Sequence, residues 1–269
     1  MIDIHVHLHP DRLGAAIRRW FAENSSWTLY HGNAPEQVVA ELRKQGVERF
    51  VFCSYAHKPG IASSINEWLI QTSQAIGRFG LPLCTVHLDD PTYLDDAKRA
   101  LDAGCIGMKV HEDVQRLAVD DMRFFPVYEE IEKIGGFVLA HVGPIPWKVE
   151  PLSGIERVTH LKERFPRLNL VVAHLGAPDT MDYFKLMDKI PGLYLDTTMG
   201  LSNLEGLDFS LDMSSLEAHS NRVVFGTDFP NIPYEYDFEP SKLSAGISNR
   251  AALDAIMDGN ARHLIKNWL

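Results

Sequence analysis

Cysteine is scarce in this sequence, and it has neither a long apolar run nor a basic-then-apolar leader. Among 269 residues there are three cysteines, Cys53, Cys84 and Cys105. Their odd number and their positions in predicted strands favour buried, reduced thiols over disulfides, and their spacing is not typical of a metal site. Without a run of transmembrane length or a leader, we expect a cytoplasmic protein that does not use a membrane as a partner.

Basic residues are also few. Lysine and arginine number 26 against 36 acidic residues, which gives a formal net charge of −10, and the basic residues form no cluster. This balance disfavours nucleic acid and anionic membranes as partners and leaves a small-molecule substrate as the expected one. Solubility alone would also explain the acidic excess. The sequence leaves open whether the protein forms a homo-oligomer.

Apolar runs rich in β-branched residues recur along the chain and alternate with helical stretches. A G-x-G-x-x-G turn, typical of open nucleotide-binding sheets, is missing after the first strand, and this favours a closed barrel. The sequence therefore predicts an α/β protein with a (β/α)8 TIM-barrel fold in a single domain, residues 1–269. We expect strands at about 2–7, 48–54, 81–87, 105–111, 136–142, 168–174, 192–197 and 222–228. We expect helices from Pro35 and over 93–103, 125–134, 154–165, 179–189 and 249–264.

Potential metal ligands stand at the ends of several predicted strands. His5 and His7 share one face of the first strand, because side chains two residues apart on a strand point the same way. The fifth, sixth and eighth strands end at His141, His174 and Asp228. A single histidine is more often a hydrogen-bonded core residue, but the C-terminal ends of barrel strands converge on one face. The set therefore predicts an ion held by imidazole and carboxylate groups.

Seven segments in fixed order resemble the amidohydrolase superfamily, and within it the amidohydrolase-related branch of hydrolases, lactonases, hydratases and non-oxidative decarboxylases. The segments cover nearly the whole chain: DIHVHLHP, GMKVHED, LAHVG, VVAHLGAP, LYLDTT, FGTDFP and GNARHLI. The resemblance implies a TIM-barrel enzyme that depends on a divalent metal ion. It implies that His5, His7 and His141 bind the ion, that Asp228 binds it or accepts a proton beside it, and that His174 is a catalytic imidazole.

The fourth strand carries the ambiguous residues Lys109 and His111, which share a face. Some members of the superfamily use a carboxylated lysine to bridge two metals, and Lys109 is the candidate here. Many members of the branch hold one ion, so Lys109 could instead be a neutral or hydrogen-bonded lysine or contact substrate. His111 could contact substrate or serve structure alone. We expect one ion, zinc first and manganese second.

The expected activity is hydrolysis of a small amide, ester or lactone by a metal-activated water. Non-oxidative decarboxylation of a small, and in some cases aromatic, carboxylic acid is the alternative. An inactive binding barrel is a second alternative, although all five strand-end donors are present. A phosphoesterase is disfavoured by the acidic balance.

Three loops are expected to select the substrate. The segment 11–35 carries Trp20, Phe21 and Trp27 and could form a lid, or could pack on the outer barrel or at a dimer interface. The other two are Gly143 to Trp147 and Phe229 to Tyr236. Candidate anchors for a substrate carboxylate, which could equally be solvated, are Lys58, Arg116 and Lys148.

Overall fold

Eight parallel strands form the centre of the protein in a computed structural model that describes residues 1–142, 154–202, 204 and 211–269. All eight begin within a few residues of the predicted positions. The strands are β1 Ile2–His7, β2 Arg49–Cys53, β3 Gly80–Pro82, β4 Gly107–His111, β5 Phe137–His141, β6 Asn169–Val172, β7 Leu193–Asp196 and β8 Val223–Val224.

Helices separate consecutive strands, as parallel neighbours require. The α-helices are α1 Asp11–Asn24, α2 Pro35–Lys44, α3 Ala62–Ile76, α4 Tyr93–Asp102, α5 Glu112–Gln115, α6 Phe125–Ile134, α7 Ile155–Arg164, α8 Thr180–Met187, α9 Met213–Ala218, α10 Phe238–Gly246, α11 Arg250–Asp254 and α12 Asn260–Leu264. Short 3₁₀ helices cover Gly77–Phe79, Met122–Phe124, His174–Gly176 and Lys266–Trp268. Within the described ranges, no helix combines the length and apolar character needed to cross a lipid bilayer.

The strands close into a ring. β1 to β3 and β4 to β8 form two continuous hydrogen-bonded sets. Parallel bridges join them at both seams, Cys84 with Met108 and Val6 with Phe229. A chain of neighbours that returns to its first strand is a barrel, so the predicted (β/α)8 TIM-barrel fold is confirmed.

Two apolar clusters pack against the strands, one outside the barrel and one inside it. The larger cluster lies between the strands and the helices, and it includes Val38 and Leu42 of α2. The smaller cluster fills the barrel interior near the strand starts and includes Ile2, Ile4, Val51, Leu81, Ile106, Leu139, Val171, Tyr194, Val224 and Leu264. Polar side chains follow this apolar layer along the same strands. These polar side chains therefore lie over a packed apolar floor at the C-terminal ends of the strands.

A β-bulge in β1 sets the direction of its side chains. The pairing with β2 shifts by one residue between Asp3 and Val6, so Ile4 and His5 together face one residue of β2. A bulge adds one residue to a strand and re-aims the side chains that follow it. Here it turns His5 and His7 into the barrel, above Ile4.

Three predicted elements differ from those observed. β3 ends at Pro82 instead of continuing to residue 87. β8 ends at Val224 instead of continuing to residue 228, because the chain leaves the extended conformation and reaches φ 64° at Asp228. The predicted helix over 249–264 is interrupted by a π-helix at Ala255–Gly259. There the carbonyl of Ile256 accepts a hydrogen bond of 3.0 Å from the Phe225 N–H. The interruption thus ties the closing helix to the last barrel strand.

Candidate metal centre and active site

Three ligand-type atoms meet at the C-terminal ends of β1 and β8. Asp228 Oδ1 lies 3.2 Å from His5 Nε2 and 2.7 Å from His7 Nε2. Ligand atoms around a tetrahedral zinc ion stand roughly 3.3 Å apart, given zinc–nitrogen distances of about 2.0–2.1 Å. The spacing of these three atoms is therefore close to what one small ion needs.

Hydrogen bonds fix which nitrogen of His5 carries the proton. Its Nδ1 lies 2.8 Å from Asp196 Oδ2 and 3.1 Å from Thr198 Oγ1. A carboxylate only accepts, so Nδ1 donates and Nε2 is left with a lone pair. That lone pair faces the carboxylate of Asp228, and two lone pairs attract a cation between them. The donor set thus fits a divalent ion.

Glycine at position 226 makes room for His5. A Cβ atom there would lie 2.9 Å from the Cβ of His5 and 3.1 Å from Thr198 Oγ1. The first distance is shorter than ordinary van der Waals contact, so a larger residue would displace the imidazole. Gly226 therefore allows β8 to approach β1 at the height of the site.

Lys109 extends from β4 into the same space. Its side chain is 1% exposed, and its Nζ lies 2.8 Å from His5 Nε2. The structure thus shows a hydrogen-bonded lysine beside the donor set, one of the alternatives that the sequence left open. An ion bound to His5 would take the lone pair that Lys109 now uses.

His141 and His174 form a second pair of imidazoles. His174 Nε2 lies 3.0 Å from His141 Nδ1, and His174 Nδ1 lies 3.3 Å from the carbonyl oxygen of Thr198. Because a carbonyl only accepts, His174 Nδ1 donates and its Nε2 accepts from His141. His141 is then left with a lone pair on Nε2, the form that a metal ligand needs. The closest contacts place His141 beside His174.

His111 packs face to face on His141, with ring centroids 4.1 Å apart and an angle of 9° between the planes. Its buried Nδ1 atom has no hydrogen-bond partner among the described residues. Stacking restricts the rotation of the His141 ring. His111 and Lys109 both line the cavity, in agreement with their predicted shared face.

The protonation of the site follows from burial and from the neighbouring charges. Burial lowers the pKa of His5, His141 and His174, so their imidazoles are neutral at neutral pH. Burial also opposes charge on His7, but Cys53 and Asp228 outweigh it and raise the pKa of His7 to about 9. Although burial opposes ionisation of Asp228, the imidazoles of His7 and His5 hold its pKa below the ordinary value. Asp228 is therefore a carboxylate.

The backbone is left-handed at both predicted catalytic residues. His174 has φ 56° and Asp228 has φ 64°. Such conformations cost about 1–3 kcal/mol for residues other than glycine and persist where neighbours enforce them. The N–H of His174 donates to Asp196 Oδ1 at 2.9 Å, and that of Asp228 donates to the His5 carbonyl at 2.8 Å. These bonds hold both side chains toward the barrel axis.

A cavity of about 470 Å³ opens above these residues. Its floor includes His7, Lys109, His141, His174 and Asp228. An apolar wall comes from α1 and the turn after it, through Leu13, Ala16, Ile17, Trp20, Phe21 and Trp27. The structure therefore places the apolar stripe of α1 over the site, although Trp20 is still 41% exposed.

The other predicted substrate loops contribute unequally. Arg116 lines the cavity, and His57 does so in place of its exposed neighbour Lys58. Tyr236 is buried behind the site, where its hydroxyl donates to Asp3 Oδ2 at 3.0 Å. Tyr234 donates to Glu239 at 3.3 Å. The segment Gly143 to Trp147 and Lys148 lie outside the described residues.

The model of the family described as Amidohydrolase matches residues 2–266, which is almost the full length. The chain belongs to the amidohydrolase family. Its resemblance to this family and its nature as an enzyme of the amidohydrolase type are thereby confirmed. A comparison with curated proteins found no match.

Solved structures show that this amidohydrolase shares its fold with distant relatives. An uncharacterized TIM-barrel protein from Bordetella bronchiseptica has a TM-score of 0.75 at 19% identity, over 100% of this chain and 99% of that one. A 5-carboxyvanillate decarboxylase from Sphingomonas paucimobilis has a TM-score of 0.68 at 18% identity, over 99% of this chain and 98% of that one. A probable 2-pyrone-4,6-dicarboxylic acid hydrolase from Acinetobacter baumannii has a TM-score of 0.66 at 11% identity, over 98% of both chains.

Sequence reasoning treated Cys53 of the amidohydrolase only as a buried thiol; the structure confirms a buried free thiol and adds that it lies beside the histidines. His5, His7 and Cys53 offer donor atoms that lie within 4.8 Å of one another. Cys53 is the last residue of β2 and pairs in register with His7. Its position at a strand end, the same signal that identified the histidines, could have indicated it.

Asp3 was also missed. Its carboxylate accepts hydrogen bonds from the His5 N–H at 3.1 Å, from Thr227 at 2.6 Å and from Tyr236 at 3.0 Å. Burial raises the pKa of Asp3 to about 7, against the effect of these bonds. Because the bulge turns Asp3 away from His5 and His7, alternation along β1 gives no signal for its role behind the site.

Proposed function

We propose that this amidohydrolase hydrolyses a small amide, ester or lactone, with water activated at one divalent ion. The observation that carries the proposal is the ionised Asp228 carboxylate on the cavity floor, which faces the Nε2 atoms of His5 and His7. With His141 as the third imidazole, the donor set is nitrogen-rich with one carboxylate. Such a set suits zinc first and manganese second.

A bound ion would lower the pKa of water and polarise the scissile carbonyl. Asp228 has a separate task in the proposed reaction, which is to accept the proton of the attacking water. Its low pKa keeps it ionised and ready to accept at neutral pH. Its left-handed backbone conformation keeps the carboxylate aimed at the cavity.

His174 would protonate the leaving group or hold the developing oxyanion. Its ring lines the cavity and is anchored at Nδ1 by the Thr198 carbonyl. To act on substrate, its Nε2 exchanges the contact with His141 for the substrate, and the proton that Asp228 takes from the attacking water would pass through His174 to the leaving group. Lys109 and His111, on the same floor, would contact substrate beside the ion.

The cavity favours a substrate with two unlike ends. The apolar wall of α1 would receive an aliphatic or aromatic body, because burying such a surface releases about 25 cal/mol per Å². Arg116 on the same cavity would hold an anionic group. We further propose that one catalytic domain, residues 1–269, acts in the cytoplasm; its buried free cysteines suit a reducing compartment.

Decarboxylation is the second candidate, and Arg116 is the observation that favours it. A guanidinium on the cavity wall suits a substrate that carries a carboxylate. In that reaction the floor would orient the acid, and an imidazole would protonate the carbon that loses carbon dioxide. Product analysis separates the two reactions, because only decarboxylation releases carbon dioxide.

The test combines elemental analysis with an activity screen. We expect about one zinc or manganese ion per chain, and turnover of lactones, amides or esters. His5→Ala should lose the ion and the activity, because it removes an imidazole from the donor set. His160→Ala is the matched control, since His160 is 67% exposed and contacts Asp120 away from the site.

Several results would count against the proposal. An absence of bound ion after incubation with zinc or manganese would favour a binding barrel. Unchanged turnover in His5→Ala would remove that residue from the site. Two ions per chain would indicate that Lys109 is a bridging ligand and would favour a phosphoesterase.

A further inference from the structure

Cys53 lies at the edge of the donor set, against the ring of His7. The thiol is fully buried at the end of β2. Its Sγ atom lies 3.7 Å from His7 Nδ1 and 3.6 Å from the carbonyl oxygen of Val6. Both distances are within the longer reach that sulfur allows, so the thiol bridges a backbone carbonyl and an imidazole.

The two contacts define the direction of each hydrogen bond. The Val6 carbonyl only accepts, so the S–H of Cys53 donates to it. The sulfur lone pairs then remain for the N–H of His7 Nδ1. With Nδ1 keeping its hydrogen for the sulfur, Nε2, the atom that lies 2.7 Å from Asp228, is the nitrogen that would give up its proton to an ion.

The neighbouring histidine has the same arrangement with a different partner. His5 Nδ1 donates to the carboxylate of Asp196, which leaves Nε2 for the ion. Groups that hold the far nitrogen of a ligand histidine fix its tautomer and ring orientation. We propose that Cys53 is the positioning residue of His7, with its sulfur in the part that Asp196 plays for His5. This inference rests on the proposed metal centre.

Cys53 could alternatively bind the ion itself, since it lies with His5 and His7 in one compact group. The geometry argues for positioning instead. The two nitrogens of an imidazole point away from each other, and Asp228 meets Nε2 whereas Cys53 meets Nδ1. An ion shared by His7 and Asp228 therefore lies across the ring from the sulfur.

The test measures zinc affinity of the metal-free full chain by competition with a chromophoric chelator. Cys53→Ala should weaken zinc binding about 10-fold to 100-fold, the usual effect of losing such a partner. Cys53→Ser keeps an acceptor and should stay within about threefold of wild type. Cys84→Ala is the matched control, because Cys84 is equally buried on the helix-facing side of the barrel.

Cobalt substitution separates positioning from ligation. The wild-type cobalt protein should lack the intense near-ultraviolet band of a cobalt–thiolate bond, and a band that Cys53→Ser abolishes would overturn the proposal. Equal zinc affinity in wild type and Cys53→Ala would overturn it too. Cys53→Val replaces the alanine variant if that one fails to fold. If wild type binds neither ion, the proposed function itself fails; if it binds normally and the variants match it, only this inference fails.

Discussion

Two residues of the site combine a side chain of proposed catalytic role with a backbone conformation that suits glycine better. His174 and Asp228 both have φ near 60°, where a Cβ atom meets the adjacent carbonyl. Natural sites keep such residues because the chemistry needs the side chain there. At these two positions, the residue that the proposed chemistry needs makes the fold less stable than glycine would.

Two variants at His174 measure this cost in stability. His174→Ala and His174→Gly both remove the imidazole, and both should lower turnover by about 10²-fold to 10⁴-fold, the range for a general acid. Glycine should be the more stable of the two by about 1 kcal/mol, since it relieves the left-handed strain. Chemical denaturation measures the difference.

At an ordinary helical position glycine would be the less stable variant by a similar amount, so the sign of the difference is decisive. Metal content is the second measurement. Both variants should keep the ion, and loss of the ion would make His174 a ligand.

Among the elements, α7 carries a buried lysine that caps the turn leading into β6. Lys162 is 1% exposed, and its Nζ donates to the carbonyls of Leu168 and Pro166. Burial lowers the pKa of Lys162 to about 8, only partly offset by Glu132. The charged amine is thus less stable in the folded chain than in the unfolded chain, where its pKa is about 10.4.

The sign of the pH dependence follows from these two pKa values. Between pH 8 and 10 the unfolded chain keeps the proton of Lys162 and the folded chain loses it, so this group stabilises the fold as pH rises. The free energy of unfolding of wild type, minus that of Lys162→Met, should increase by about 2 kcal/mol over this window. Urea denaturation at several pH values measures it.

The subtraction matters because buried Cys84 and Cys105 titrate in the opposite sense, since burial raises the pKa of both thiols. Their contribution is common to wild type and variant and cancels. A difference that stays flat or falls with pH would contradict the buried position of this amine.

Over the whole barrel, an ion would join strands that are far apart in sequence. The proposed donors come from β1, β5 and the segment after β8, and a ligand that binds only the folded chain raises its stability by mass action. Zinc at 100 times its dissociation constant should add about 2.7 kcal/mol and raise the Tm by several degrees. Calorimetry with and without zinc measures this shift, which His5→Ala should abolish while its fold persists.

The architecture was predictable because its signals are local. Most strands lie in short apolar runs, and the barrel brings the ends of these runs to one face. His5, His7 and Asp228 therefore came together as expected. The contact of Cys53 with His7 depends on the register of β1 and β2, and the direction of the Asp3 side chain depends on the bulge in β1. A short alternating segment does not show where such a bulge falls. The apolar stripe of α1 predicts a buried face but not which surface covers it.

The seam between β1 and β8 also sets a time order during biosynthesis. His5 and Asp228 lie at opposite ends of the chain, and Val6 bridges Phe229. A ribosome releases the histidines of β1 more than 200 residues before the carboxylate of Asp228. Nascent chains thus hold two imidazoles without their acidic partner. Metal loading should therefore wait until the segment after β8 has been synthesised, and fragments that stop before β8 should bind no ion.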